Sequence, residues 1–558
     1  MTELAVRDEG PDPIRLGLVL PAGPVPGWVV AMIAAIRAAG DADVVLAIRS
    51  DPARAGDPRP AVRRTGPGGR ALVGLYRRVD RLAFGRPGDP TEPADPDPVL
   101  DGVPVYRPGP DWAREPLIGR LRAADLDVLL HVGRPDLDPL GRDVARHGVW
   151  SLAPAAAGDL PAGVIEVLAG AVVTAGRLVA QRDDPGPELI GWTVSATDRV
   201  SHVRGMRGHL AKVAPLAARA LRDLRLDGRL PMPPAIGSVP EPVVPSGAAG
   251  LAGRLLGLGL GYLGRLIGRS LAPDRWVLAV AGPAPDRPLP DPGRAPLRHL
   301  LPPPGRGWAD PFLVRSGDET LVFVEEWVDA ERRGRIAVVR LDPAGGTGPS
   351  EPVLALPGHL SYPQVFAWQG SWYLLPEQAA SGGLELYRAT DFPTAWTHDR
   401  TLIADPPLAD ATLAQIDGRW WLFGAARAPG GTSADELLVF SADSPLGPWR
   451  PHRRNPVLSD IRAARPAGRL VQRDGQWYRP SQDGSVSYGW ALNLNRIERL
   501  DDDAYVETRV AQLQPNWDRD VVGTHTLAEL DGLTIIDLSI RWPRVQLPWP
   551  GRRPRWPG

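Results

Sequence analysis

Five short stretches of this chain hold a polar residue in the same setting. They are Ala309-Asp310-Pro311-Phe312, Tyr362-Pro363-Gln364-Val365, Asp410-Ala411-Thr412-Leu413, Arg465-Pro466-Ala467-Gly468 and Thr524-His525-Thr526-Leu527. Apolar runs downstream of them end on further polar groups: Glu325, Glu326, Glu377, Gln482 and Asp537. Carboxylates gathered with Arg, His, Tyr and Gln make a natural hydroxyl-binding surface, because buried charge demands hydrogen-bonding partners. Two carboxylates can also divide acid and base work across one bond. A solvated wall would tolerate any one of these residues; five in register argue for a common pocket.

The elements that carry them repeat. Each opening is followed by a turn pair: Ser316-Gly317, Gln369-Gly370, Asp417-Gly418, Asp474-Gly475 and Asp531-Gly532. A second strand-like run comes next, as in Trp372-Tyr373-Leu374-Leu375 and Trp420-Trp421-Leu422-Phe423. Five copies at a spacing of roughly 50 residues fit the blades of a β-propeller, with first strands lining the channel. Each hairpin leaves an apolar face that only a neighbour can cover. A β-sandwich is the alternative. The last unit shows only two strands, so Arg275–Ala281 (RWVLAVA) is expected to close the ring. The propeller is thus assigned to 275–541, and 542–558 to a Pro/Arg-rich tail.

Upstream, residues 12–226 read as α/β. Ile14–Leu20, Asp43–Ile48 and Leu126–His131 are strand-like, Trp28–Ala39 has helical spacing up to Gly40, and Gly205–Leu224 reads as one helix. Strands alternating with helices imply a parallel, Rossmann-like sheet. Residues 227–274 form a Pro/Gly linker with an amphipathic helix over 251–271. On that helix Gly253, Gly257, Gly261, Gly264 and Gly268 form a stripe beside Arg254, Arg265 and Arg269. Close packing of the glycine side against a domain is the expectation, with peripheral membrane contact through the basic edge and leucines as the alternative.

Composition narrows the classes. At 558 residues, two domains are expected. The formal net charge of −1 gives no basic field for nucleic acid. Lys212 is the sole lysine, an Arg-rich usage that fits GC-rich coding. The absence of cysteine excludes disulfides and thiolate metal sites. The apolar run Leu16–Ile36 is interrupted by Pro21, Pro24 and Pro26, which argues against a spanning helix. A polar start unlike a signal peptide makes the cytoplasm the expected location. No cofactor or metal is expected, and no loop has calcium-ligand spacing.

Asp310 in WADPFLV and Asp410 in ADATLAQIDGRWWLF resemble the blade-opening aspartates of the five-bladed glycoside hydrolases of families 43 and 32. The phrases HLSYPQVF, WYLLPEQ, ELYRATDFPTAW, DSPLGPWRPHRRNPV, ARPAGRLVQRDGQWYRPSQD, SYGWALNLN and GTHTLAEL are similar to the N-terminal propeller of plant glucosamine inositolphosphorylceramide transferases and its bacterial relatives. The hydrolase resemblance implies Asp310 as base or nucleophile and Asp410 as an orienting or pKa-tuning group. The hydrolase acid, a Glu opening a later blade, is replaced here by Arg465-Pro466; Glu377 is the substitute acid. Tyr362, Arg465, Gln482 and His525 are then substrate-binding residues. After Arg541 nothing resembles the glycosyltransferase module that follows the propeller in the plant proteins. Acidic triplets at Asp41-Ala42-Asp43 and Asp125-Leu126-Asp127 are too short to indicate nucleotide-sugar metal ligands.

HGVWSLAP, GVIEVLAGAVVTAGRLV and IGWTVSATD resemble the formyltransferase fold. At the positions where that family places Asn, His and Asp stand Ser151, Ala153 and Leu189, none fit for acid–base work. The resemblance implies a formyltransferase-like domain without formyl transfer; His131 and His147 are not expected to replace the lost groups. Taken together, the chain is multidomain: an α/β formyltransferase-like domain and an all-β five-bladed propeller. Its expected function is to act on or recognise a glycan or glycoconjugate in the propeller channel. The alternatives are a non-catalytic glycan or glycolipid binding module with a scaffold domain, and a sugar N-formyltransferase.

Overall fold

A computed structural model of the chain describes residues 11–50, 66–107, 114–132, 142–156, 160–182, 186–231, 239–244, 247–271, 274–282, 288–342, 346–378 and 381–541. The tail assigned to 542–558, part of the linker, Gly268 and the side chains of Arg265 and Arg269 lie outside what is described. The chain divides into two compact units, Met1–Gly259 with Ala428–Thr432 and Leu260–Arg427 with Ser433–Gly558.

The first unit holds a seven-stranded sheet. Its order is Val105–Tyr106, Ala42–Ser50, Ile14–Pro21, Val128–Val132, Val149–Ala153, Val173–Gln181 and Glu188–Ala196. The first five strands are parallel, and Val173–Gln181 runs antiparallel to both of its neighbours. Leu16, Leu18 and Leu20 pack one way, with helices Gly27–Ala39, His202–Val213 and Leu216–Asp227. Val19, Ile48 and Leu129 pack the other way, with Leu117 and Leu121 of helix Arg114–Ala123. Burial on both faces explains why these strands read as unbroken apolar runs.

One expectation needs correction here. The single helix over Gly205–Leu224 is two helices, because Pro215 cannot donate the hydrogen bond that would carry the first one onward. Between the strands expected at Asp43–Ile48 and Leu126–His131 stand two further helices, Pro67–Phe84 and Arg114–Ala123. The acidic triplets are structural: Asp41 pairs with Arg225, and Asp127 with Arg146.

The amphipathic helix spans Gly247–Leu271. Leu251, Leu255 and Leu258 pack with Val73, Val164 and Leu168. The glycine stripe does not: a Cβ built on Gly253, Gly257 or Gly264 would meet nothing within 4 Å. The docking face is therefore the leucine face. Leu256, Leu260, Leu263 and Ile267, spaced to share a second face, are exposed. No helix among the described residues is long and apolar enough to cross a membrane.

The second unit is a five-bladed propeller. Blade 1 runs Arg306–Ser316, Glu319–Val328, Arg333–Leu341 and Glu351–Leu354; blade 2 runs Leu360–Trp368, Ser371–Gln378, Leu384–Asp391 and Ala395–Ile403. Blade 3 runs Ala409–Ile416, Arg419–Arg427, Ala434–Ala442 and Arg450–Pro451; blade 4 runs Val471–Arg473, Gln476–Asp483, Ala491–Leu500 and Tyr505–Leu513. In blade 5, Val521–Gly523 and Leu527–Leu530 pair with Leu533–Arg541. Leu533–Arg541 pairs in turn with Asp274–Ala281, from Asp274↔Arg541 to Ala281↔Thr534. The strand expected at Arg275–Ala281 does close the ring. Four inner turns, Gln369-Gly370, Asp417-Gly418, Asp474-Gly475 and Asp531-Gly532, have positive φ at both residues, as type I′ hairpins require. Apolar clusters fill the spaces between blades, such as Phe312, Phe323 and Val338 against Leu360, Val365 and Leu374.

Candidate functional site

Blades 1, 2 and 3 open with one backbone device. Asp310, Tyr362 and Asp410 have φ of 50, 50 and 51°, and each lies at a break in strand register. A left-handed non-glycine residue costs about 1–2 kcal/mol, so something must hold it. In each case the amide N–H donates to a carboxylate. Asp310 donates to Asp537 Oδ2 at 3.1 Å, Tyr362 to Asp310 Oδ2 at 3.2 Å and Asp410 to Glu377 Oε2 at 3.0 Å. The carboxylates thus link one blade to the next.

Around Asp310 the groups are buried and coupled. Thr526 Oγ1 donates to Asp310 Oδ1 at 2.7 Å. Asp537 Oδ1 accepts the amides of His525 and Thr526 at 2.8 and 2.9 Å, and its Oδ2 lies 2.6 Å from His525 Nδ1. The His525 ring stacks on Trp276 at 4.1 Å, and Gly489, at φ 63°, leaves the space a Cβ would take from both rings. Burial pushes the Asp310 carboxyl up to about 6, with His525 opposing and Asp410 and Asp537 adding to the rise. Burial alone would lower His525; Asp537 and Asp310 outweigh it and lift the imidazole to about 9. Asp310, His525 and Asp537 bring ligand-type atoms within 4.8 Å of one another. Those atoms already hold protein hydrogens, so the trio as it stands fits a cation poorly.

On the other side of the ring, Arg465 donates from Nε to Asp410 Oδ2 at 2.5 Å and from Nη2 to Glu377 Oε2 at 3.4 Å. Gln482 Nε2 donates to the same Asp410 oxygen at 2.7 Å. Burial pushes Asp410 up to about 7, against the pull of Arg465 and with the like charge of Glu377 adding. The Arg465 guanidinium lies 5.2 Å from the centre of the Tyr488 ring. That ring also meets His525 edge-on at 5.5 Å and is 63% exposed.

The structure therefore brings Asp310, Asp410, Glu377, Arg465, Gln482 and His525 into one network. Tyr362 enters it through its backbone. Its ring packs edge-on against Phe312, and its hydroxyl sits 2.7 Å from Thr412 Oγ1 and accepts the Gly468 amide at 2.6 Å. This is a correction to the expectation of a substrate-binding side chain: the left-handed turn sends the ring into the core. Glu326 also leaves the channel. It accepts hydrogen bonds from Trp308, Ser350 and Arg335. Trp276, Tyr488 and Thr526 were not anticipated. Tyr488 has a sequence signal, an aromatic residue between Ser487 and Gly489 outside any apolar run.

Comparison with known proteins places one part of the chain. The family described as glucosamine inositolphosphorylceramide transferase 1, N-terminal, matches residues 303–521. Glucosamine inositolphosphorylceramide transferase 1 of Oryza sativa subsp. japonica is 40% identical over 206 residues, 36% of this chain and 28% of the relative. The protein of that name from Arabidopsis thaliana is 35% identical over 211 residues, 37% and 28% of the two chains. This chain thus spans little more than a quarter of the length of the curated relatives it matches. Among solved structures, an exo-1,5-α-L-arabinanase from a bovine ruminal metagenomic library shares 14% identity at a TM-score of 0.31, covering 44% of this chain and 91% of its own. A family 117 glycoside hydrolase from Zobellia galactanivorans shares 12% at 0.32, covering 49% and 93%. Scores this low carry no weight, and the propeller rests on its strand order. What the sequences establish is that the propeller stretch is homologous to the N-terminal region of those transferases, with the α/β unit outside the matched residues.

Proposed function

We propose that this protein acts on a glycan or glycoconjugate in the propeller channel. The observation that carries the reading is the convergence of polar side chains from all five blades on one network, beside an exposed Tyr488 ring. Such a ring next to charged hydrogen-bonding groups suits a sugar, which offers apolar C–H faces and hydroxyls together. The matched relatives are named for a transfer to inositolphosphorylceramide, which supports a glycolipid among the ligands. In this reading Asp310, Glu377 and Asp410 form the reactive carboxylate set, and Arg465, Gln482 and His525 bind substrate.

A non-catalytic glycan-binding module is the second reading, favoured by Arg465 standing where the hydrolases place their acid. Asp310→Asn separates the two, because Asn tolerates the left-handed backbone and keeps an acceptor for Thr526. Turnover across a panel of glycans and glycolipids should fall roughly 100-fold or more, with binding kept by calorimetry. Binding by the parent without turnover of any member would favour the module.

The α/β unit is read as a formyltransferase-like scaffold in the cytoplasm. Ser151 is buried in the sheet and Leu189 is half-exposed, which supports a fold without formyl transfer and argues against a sugar N-formyltransferase. The exposed row Leu256, Leu260, Leu263 and Ile267 supports peripheral membrane contact by the helix, where a lipid-linked substrate would be met.

A further inference from the structure

We propose that Glu325, outside the carboxylate set above, is the proton donor of the channel; the inference rests on the reading that the channel acts on glycosidic bonds. Its position in blade 1 corresponds to that of Glu377 in blade 2. Glu325 lies opposite Ala309, one residue before the left-handed Asp310, and Glu377 lies opposite Ser361, one residue before the left-handed Tyr362. Glu377 and Asp537 each spend an oxygen on the left-handed amide of the following blade. By that rule Glu325 would hold the amide of Tyr362. Asp310 holds it instead, and Glu325 is released. Among the described residues its side chain makes no hydrogen bond, whereas those of Asp310, Glu377, Asp410 and Asp537 are all engaged.

The surroundings favour a neutral carboxyl. The Glu325 side chain is 14% exposed, and its Oε1 lies 3.6 Å from His359 Nε2. His359 Nδ1 accepts the Gly334 amide at 2.8 Å, and an imidazole left neutral in that role puts no positive charge beside Glu325. A Cβ on Gly334 would fall 2.7 Å from Glu325 Oε1 and from the His359 ring, so only glycine leaves the pair in place. Burial first, and then Asp310, Glu377 and Asp410, raise the Glu325 carboxyl well above the ordinary range, with His525 opposing. An acid is useful when its environment keeps the proton on until the leaving oxygen needs it.

The step balances with water as co-reactant. The Glu325 proton passes to the glycosidic oxygen as the bond from the anomeric carbon breaks, and the electron pair stays on the departing oxygen. Water bonds to the anomeric carbon and gives its proton to Glu377, whose Oε1 accepts no protein hydrogen bond among the described residues. Exchange with solvent then restores both carboxyls.

Two measurements test this. Infrared difference spectra between the parent and Glu325→Gln at neutral pH should show the C=O stretch of a protonated carboxyl, lost in the variant; an ionised carboxylate there overturns the proposal without any substrate. On glycosides turned over by the parent, Glu325→Gln should lose about 100-fold in kcat where the leaving group is an alcohol, and only a few-fold where it is dinitrophenolate, which departs unprotonated. Equal losses on both, or none, would overturn it. Failure of the wider reading looks different, since the parent would then turn over no glycoside at all and this assignment would fall with it. Gln matches Glu in shape and removes a carboxyl from among three others, so the variant should melt no lower than the parent.

Discussion

Two regions of this protein have patterned faces, and they end in opposite states. In the propeller channel the carboxylates, Arg465, Gln482 and His525 are tied to one another across the blades. On the helix Gly247–Leu271 the glycines Gly253, Gly257 and Gly264 meet open space and the row from Leu256 to Ile267 stays exposed. Both rows stand out in the sequence, but among the described residues only the channel is closed by its own chain. The contrast teaches that a pattern marks a face as special without saying what fills it. A charged row in a ring finds partners because neighbouring blades repeat the same backbone. A row on a single helix has no such neighbour.

The largest test breaks the closed side. Arg465→Met should leave Asp410 buried without its cation and lower stability by about 3 kcal/mol, read as a fall in the urea midpoint. Adding Asp410→Asn should recover most of that loss, since the uncompensated charge goes with it. If the single variant unfolds like the parent, the network is loose and the contrast fails.

A pH series tests the same closure more gently. Asp310 and Asp410 are raised from 3.8 to about 6 and about 7, and His525 from 6.5 to about 9. A group raised on folding stabilises fully below its unfolded pKa and loses that contribution as pH rises through its folded value. All three therefore act in one direction. Melting temperature should fall steadily from about pH 4 to about pH 9, and Asp310→Asn should flatten the lower part of the slope.

The open side predicts smaller effects of opposite sign. Gly253→Ala should raise stability by about 0.5–1 kcal/mol, because helix propensity improves and nothing stands in the way of the methyl group. A loss instead would mean that the glycine row is covered after all. Leu260→Glu should leave melting nearly unchanged while weakening sedimentation with anionic phospholipid vesicles, if a lipid surface covers that row.

Much of the ring was legible because it is written in local chemistry. Turn pairs such as Asp474-Gly475 demand positive φ, and the apolar runs after them fix the second strands. The missing strand at Asp274–Ala281 followed from counting. The ends of side chains were harder to read. Strand alternation tells which face a residue takes only while register holds, and register breaks at Asp310, Tyr362 and Asp410. That is why Tyr362 reads as a channel residue yet packs against Phe312. It is also why Glu325 and Glu326 read alike until Trp308 and Arg335 claim the second. The His525–Asp537 pairing joins the link between Val521–Gly523 and Leu527–Leu530 to the strand Leu533–Arg541, and no spacing rule announces it. Pro215 was in plain view; the Ala/Leu/Arg pattern around it hid a break that one missing amide hydrogen makes necessary.

The closing strand has a consequence for how the protein is made. Asp274–Ala281 pairs with Arg298–Leu300 along one edge, but along the other its partner is Leu533–Arg541, so on a ribosome that second edge must wait while every other blade is synthesised. Through that interval the incomplete ring exposes two unpaired strand edges, the kind of surface on which neighbouring chains associate. The strands of the α/β sheet, all supplied before residue 200, are free to pair long before then. Nascent chains stalled just short of Leu533 should accordingly show a protease-resistant first unit and a propeller that is still digested.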